Sequence, residues 1–163
     1  VDTAGGQTVN DIGLAASRIR GGVGDDTIAG NGGNDTINIS QGGSDTLVFN
    51  AINTADARFG NGTDTVTGFI SNFDGALDAN EDKIDLTALI AQIETDVGGG
   101  LVIDADNIGN YLSATNDGVN TTLKLDRDGA GGAYSSTDFL HLQGVVFDST
   151  HLNYLVTSGQ IFF

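Results

Sequence analysis

The sequence predicts an all-β chain with a few short helices: a parallel roll of very short strands, capped by a mainly antiparallel C-terminal region. Glycine and aspartate recur on a nine-residue beat in GGVGDDTIAGNGGNDTI (21–37), where Asp26 is followed by Asp35 and Ile28 by Ile37. A third copy, SQGGSDTLV, comes one residue late and supplies Asp45 and Leu47. Farther on, TTLKLD and DFLHLQGVVF alternate as two antiparallel strands do.

Residues 1–20 are polar with weak alternation in DIGLAASRIR, and read as an upstream segment or an edge strand. Residues 21–75 hold the repeats and their cap. Each repeat offers a glycine-rich turn of six residues and a three-residue strand such as Thr27-Ile28-Ala29, with one large apolar side chain. So short a strand buries nothing alone, so the strands must stack and place Ile28, Ile37 and Leu47 inside. NAINTADARF is an excursion, and GNGTDTVTGF returns to the repeat pattern with Asp64 and Val66.

Residues 76–163 form the C-terminal β-rich region. DKIDL (82–86) is a strand signal, Thr87 an N-cap for an apolar helix through LTALIAQI, and the glycines at 98–100 its end. Asp104 caps a short helix around NIGNYL. STHLNYLV gives another helix and SGQIFF a closing strand.

Composition narrows the function. Of 22 acidic residues all but Glu81 and Glu94 are aspartate, and with six Lys+Arg the formal charge is −16. Nucleic acid and anionic membrane surfaces are repelled, and a divalent cation is attracted. With 39% apolar residues the chain is not simply disordered, but its self-repulsion must be neutralised before it compacts. There is no cysteine, so neither disulfides nor thiolate metal sites hold the fold. The chain starts at Val1, shows no N-terminal secretion signal and has no apolar run near the ~18 residues a membrane span needs, which reads as a fragment of something longer that does not span a membrane.

The repeat has a chemical reading. Its glycines let the backbone turn with positive φ and bare its carbonyls, and the sixth-position aspartate adds a hard anionic oxygen. Ca²⁺ takes about six to eight oxygens in irregular geometry, so one loop is half a site. If each nonapeptide is half a turn, loops two repeats apart share an edge. Asp26, Asp45 and Asp64 are evenly spaced by 19, so 21–26 is expected over 40–45 and 40–45 over 59–64, leaving 30–35 beside Asn53–Asp56.

The repeats follow G-G-x-G-x-D-x-U-x: GGVGDDTIA fits throughout, GNGGNDTIN has Asn31 for the second glycine, and SQGGSDTLV lacks the first two. With GTDTVTGF, EDKIDLTALI, YLSATNDGVNTTLKLDRDG, FLHLQGV and the final GQIFF, the chain resembles, over 21–163, the RTX calcium-binding C-terminal domain of type I secreted bacterial adhesins. The resemblance implies a parallel β-roll binding several Ca²⁺ ions. One site would use Gly22, Gly24 and Asp26 with Ser40, Gly42 and Asp45. A second would use Gln41, Gly43 and Asp45 with Phe59, Asn61 and Asp64; a third would use Asn31, Gly33 and Asp35 with Asp56. It further implies a domain of a larger secreted or surface chain, monomeric in itself, non-catalytic, inserting in no membrane, binding no nucleic acid, and led out by an ABC transporter complex that reads its C-terminal signal. A calcium-dependent glycan-binding domain and the non-catalytic RTX tail of a secreted protease or lipase are the alternatives.

Two acid clusters lie outside the repeats. Asp74, Asp78, Asn80 and Asp82 begin like an EF-hand loop, but Lys83 stands where glycine belongs and Leu89 where the bidentate acid belongs. Asp126, Asp128 and Asp138 form the other, with Thr137 at the acid position. Both stand open between calcium sites and solvated turns, since aspartate and glycine are ordinary turn residues. An exposed Tyr134 beside Asp128 would suit a sugar. His141 and His151, the only imidazoles, read as surface or hydrogen-bonded side chains, and no nucleophile or zinc motif is present.

Overall fold

The computed structural model describes residues 5–73 and 77–163. Its strands alternate between two sheets. One runs in the order β1 (Thr8–Asn10), β3 (Thr27–Ala29), β5 (Thr46–Val48), β7 (Lys83–Asp85) and β11 (Ile161–Phe162). The other runs β2 (Arg18–Arg20), β4 (Thr36–Asn38), β6 (Asp64–Thr67), β10 (Thr137–Gln143), β9 (Thr121–Leu125) and β8 (Leu112–Asn116). From β1 to β7 each strand pairs in parallel with the strand two places on, which is the expected parallel roll; β8, β9 and β10 pair antiparallel.

The three-residue strands dictate this stacking. Each has one inward apolar side chain between two that face outward. Val9, Ile28, Leu47, Ile84 and Ile161 lie in register across one sheet, and Ile19, Ile37, Val66 and Leu142 across the other. Burying one such side chain is worth about 1.5–3 kcal/mol, too little to fix a strand alone, so stability comes from the pile. The apolar core continues through Phe49, Phe69, Phe139 and Phe147 into the C-terminal region.

Helix α1 (Thr87–Val97) buries Leu89, Ile90 and Ile93 against this core and stops at Gly98, φ 69°. Leu86, not Thr87, occupies its N-cap position without a side-chain bond, and the Thr87 N–H donates to Asp85 Oδ1 at 2.9 Å. A 3₁₀ turn at Ile108–Asn110 follows Asp104, whose carboxylate accepts the Asp106 N–H. Helix α2 (Leu152–Ser158) leads into β11. β1 and β2 are the outermost strands of the two sheets at one end of the roll, and β8 was not anticipated from the sequence.

The register corrects the expected order of tiers. Asp26 and Asp45 do stack at a spacing of 19, but β5 pairs with β7, not β6, and β4 pairs with β6. Loop 40–45 therefore lies over 77–82, and loop 30–35 over 59–64. Residues 49–63 contain no strand, and the Phe59 carbonyl gathers the Ile52 and Asn53 N–H groups at 2.8 and 2.7 Å. Because the segment closes on itself, the 19 residues from Asp45 to Asp64 make one half-turn instead of two.

Candidate metal centre

Along each edge of the roll the sixth loop positions form a ladder. The Asp26 N–H donates to Asp45 Oδ1 at 2.8 Å and the Asp45 N–H to Asp82 Oδ1 at 2.8 Å. On the opposite edge the Asp35 N–H donates to Asp64 Oδ1 at 2.9 Å. Gln7 and Ser17 begin the two ladders, donating backbone N–H groups to Asp26 and Asp35 at 2.7 Å each. The fifth positions brace the tiers in the reverse sense: Asp25 Oδ1 accepts the Ser44 N–H and Asn34 Oδ1 the Thr63 N–H.

The fourth positions bring the loops together closely. A Cβ on Gly43 (φ 120°) would stand 2.2 Å from the Gly24 carbonyl oxygen, and one on Gly62 (φ 79°) 1.9 Å from that of Gly33. Only glycine lets these carbonyls approach the loop beside them.

The ladders bury charge. Asp26, Asp35, Asp45, Asp64 and Asp82 are each 2% exposed or less. Loss of hydration raises the Asp45 carboxyl to about 6 and those of Asp64 and Asp82 to about 7, and raises Asp35 as well. Asp26 uses both oxygens on N–H groups of Gln7 and Gly22, and Asp82 both on Asp45 and Ile70. The second oxygens of Asp35 and Asp45 are buried without a hydrogen-bond partner among the described residues. A buried anionic oxygen with no partner fits a cation and is costly without one. No three His, Cys, Asp or Glu side chains gather to hold a metal among the described residues, so an ion here would rely on backbone carbonyls.

The expected ligand sets fare differently. The fold brings 21–26 and 40–45 together, the Gly24 N–H reaching the Gly42 carbonyl at 3.1 Å, so Gly22, Gly24, Asp26, Ser40, Gly42 and Asp45 share one edge. It does not unite Gln41, Gly43 and Asp45 with Phe59, Asn61 and Asp64, because 59–64 lies on the other edge. There Asn31, Gly33 and Asp35 face 59–64, not Asp56, whose Oδ1 accepts the Arg58 and Gly60 N–H groups. The Phe59 carbonyl is already taken by two N–H groups, and Asn61, 1% exposed, ties its loop to the Asn50 and Arg58 carbonyls.

The acid clusters outside the repeats also resolve. Asp82 belongs to the ladder, which its EF-hand-like spacing concealed. Asp78 accepts from Asn72, and the buried Glu81 holds the Asn72 and Asp78 N–H groups; Asn80 is exposed, and Asp74 lies outside the described residues. Asp128 closes its own turn on the Ala133 and Tyr134 N–H groups, Asp126 accepts weakly from the Asp128 N–H at 3.4 Å, and Asp138 pairs with Lys124 at 3.3 Å. Tyr134 is half-buried, with its ring over the Arg127 guanidinium at 4.4 Å, and is not the exposed platform a sugar would need. His141 shares a hydrogen bond with the Thr122 hydroxyl. Gln7, Ser17 and Arg127 were missed; for the first two the signal was the 19-residue and 18-residue spacing to Asp26 and Asp35.

No protein-family model matches the chain, and no curated protein matches it. Among solved structures it is similar to the solution structure of the AlgE6R3 subunit from the Azotobacter vinelandii mannuronan C5-epimerase. The identity is 21%, over 100% of this chain and 81% of that one, with a TM-score of 0.29. The superposition is loose, and the roll is established by the strand registers.

Proposed function

We propose that this chain is a calcium-dependent folding module of the RTX type, non-catalytic, carried by a larger secreted bacterial surface protein of the adhesin class. The observation that carries the reading is the pair of buried, partnerless oxygens on Asp35 and Asp45, each in a ladder of stacked carboxylates flanked by glycine-bared carbonyls. Calcium would be held by Asp26, Asp45 and Asp82 on one edge and by Asp35 and Asp64 on the other, with carbonyls of the adjoining loops. Bound there, it supplies positive charge that neutralises the buried carboxylates and links the tiers; the chain's own residues supply the stacking and the core.

Linkage gives the mechanism. Where free calcium is scarce, a −16 chain with unneutralised ladders stays expanded and can be threaded through an export channel by a transporter that engages its C-terminal end. Extracellular modules commonly bind calcium with Kd near 10⁻⁴–10⁻³ M, and each site at tenfold excess adds about 1.4 kcal/mol. A few shared sites thus rival the stability of a small domain. Far-ultraviolet circular dichroism of the chain titrated with Ca²⁺ and then chelator tests this. A cooperative, reversible gain of β signal is expected; a full β signal in chelator contradicts it.

A further inference from the structure

Arg127 is 4% exposed in a chain with only six Lys+Arg, and three separate segments meet on it. Its Nη1 donates to the Thr54 and Asp56 carbonyls at 2.6 and 2.8 Å, and its Nη2 to Asp96 on α1. The guanidinium also lies over the ring of Phe59 at 4.3 Å and over Tyr134 at 4.4 Å. Phe59 is fully buried with φ 55°, a backbone state that a bulky residue holds only when its surroundings impose it. It opens loop 59–64, which carries Asp64 beside Asp35.

We propose that Arg127 is a positioning residue for the 30–35/59–64 edge: by holding Phe59 and the 53–59 segment it presents Asp64 and its loop to Asp35, so that cation binding on this edge requires the C-terminal region. The inference rests on the calcium reading. The opposite edge has no such dependence, because 21–26, 40–45 and 77–82 contain none of the groups that Arg127 touches. A planar fork serving two carbonyls and a carboxylate between two rings is arginine-specific, and a lysine ammonium cannot reproduce it.

Hydrogen exchange read by mass spectrometry, on wild type, Arg127→Lys and Arg127→Met in Ca²⁺ and in chelator, tests the assignment edge by edge. Expected is loss of protection in 53–64 and 30–35, with the calcium midpoint of those peptides raised on the order of 10- to 100-fold, while 21–26 and 40–45 keep theirs. Equal loss on both edges would make Arg127 a general stabilising residue and overturn the proposal, as would no loss on either. Arg127→Met keeps the stem's bulk, so a packing role alone predicts that it behaves as wild type, which would also overturn it. If wild-type protection is the same in calcium and chelator, the calcium reading fails; the edge-by-edge comparison of the variants in chelator still decides whether Arg127 positions loop 59–64.

Discussion

Asp45 accepts the Asp26 backbone N–H on one carboxylate oxygen at 2.8 Å, while its other oxygen is buried without a partner. One side chain thus closes the tier before it and leaves a charge that nothing described neutralises. Asp45→Asn separates these roles, because the amide can still accept the Asp26 N–H but carries no charge. In calcium the variant is expected to lose about 1.4–3 kcal/mol, one or two sites at tenfold excess, and in chelator to be as stable as wild type or more so. Chemical denaturation in calcium reads the loss, and far-ultraviolet circular dichroism in chelator, where the variant should show at least the residual β signal of wild type, reads the other condition.

The carboxylates predict an unusual pH dependence in the metal-free chain. Burial raises Asp45 to about 6 and Asp64 and Asp82 to about 7, above the 3.8 they have when unfolded. The folded chain therefore holds more protons than the unfolded one, and this stability is full below pH 3.8 and lost as pH rises through about 6 to 7. Acidification from pH 8 to 5 in chelator should raise the β signal. In calcium, protons compete for the same oxygens, so the calcium midpoint should rise as pH falls.

Double-mutant cycles read the tier order. Asp82 accepts the Asp45 N–H, whereas Asp64 sits on the other edge. Combining Asp45→Ala with Asp82→Ala should give a coupling energy of about 0.5–3 kcal/mol, and with Asp64→Ala effects that add within about 0.5 kcal/mol. The reverse pattern would restore the even 19-residue register.

Gly62→Ala should cost about 1–3 kcal/mol or more, since its φ is 79° and the new methyl would meet the Gly33 carbonyl. Gly42→Ala shares the backbone cost, at φ 92°, but has open space for the methyl. Thermal denaturation in calcium should therefore place Gly62→Ala below Gly42→Ala.

The roll was legible because its grammar is local: Gly, Asp and one apolar residue per short strand fix where Ile28, Ile37 and Leu47 point. Two things were not. Counting residues placed Asp64 with Asp45, and only the closure of 49–63 on the Phe59 carbonyl shows that this stretch crosses the roll once. Arg127 lies between two turn aspartates with no local sign of its partners, since Thr54, Phe59 and Asp96 meet it only through tertiary packing.

Anomalous diffraction from crystals grown in calcium tests the central claim most directly. Calcium-filled edges predict anomalous peaks between Asp26 and Asp45, between Asp45 and Asp82, and between Asp35 and Asp64. Ordered ladders at millimolar calcium with no peak beside Asp35 or Asp45 would contradict it.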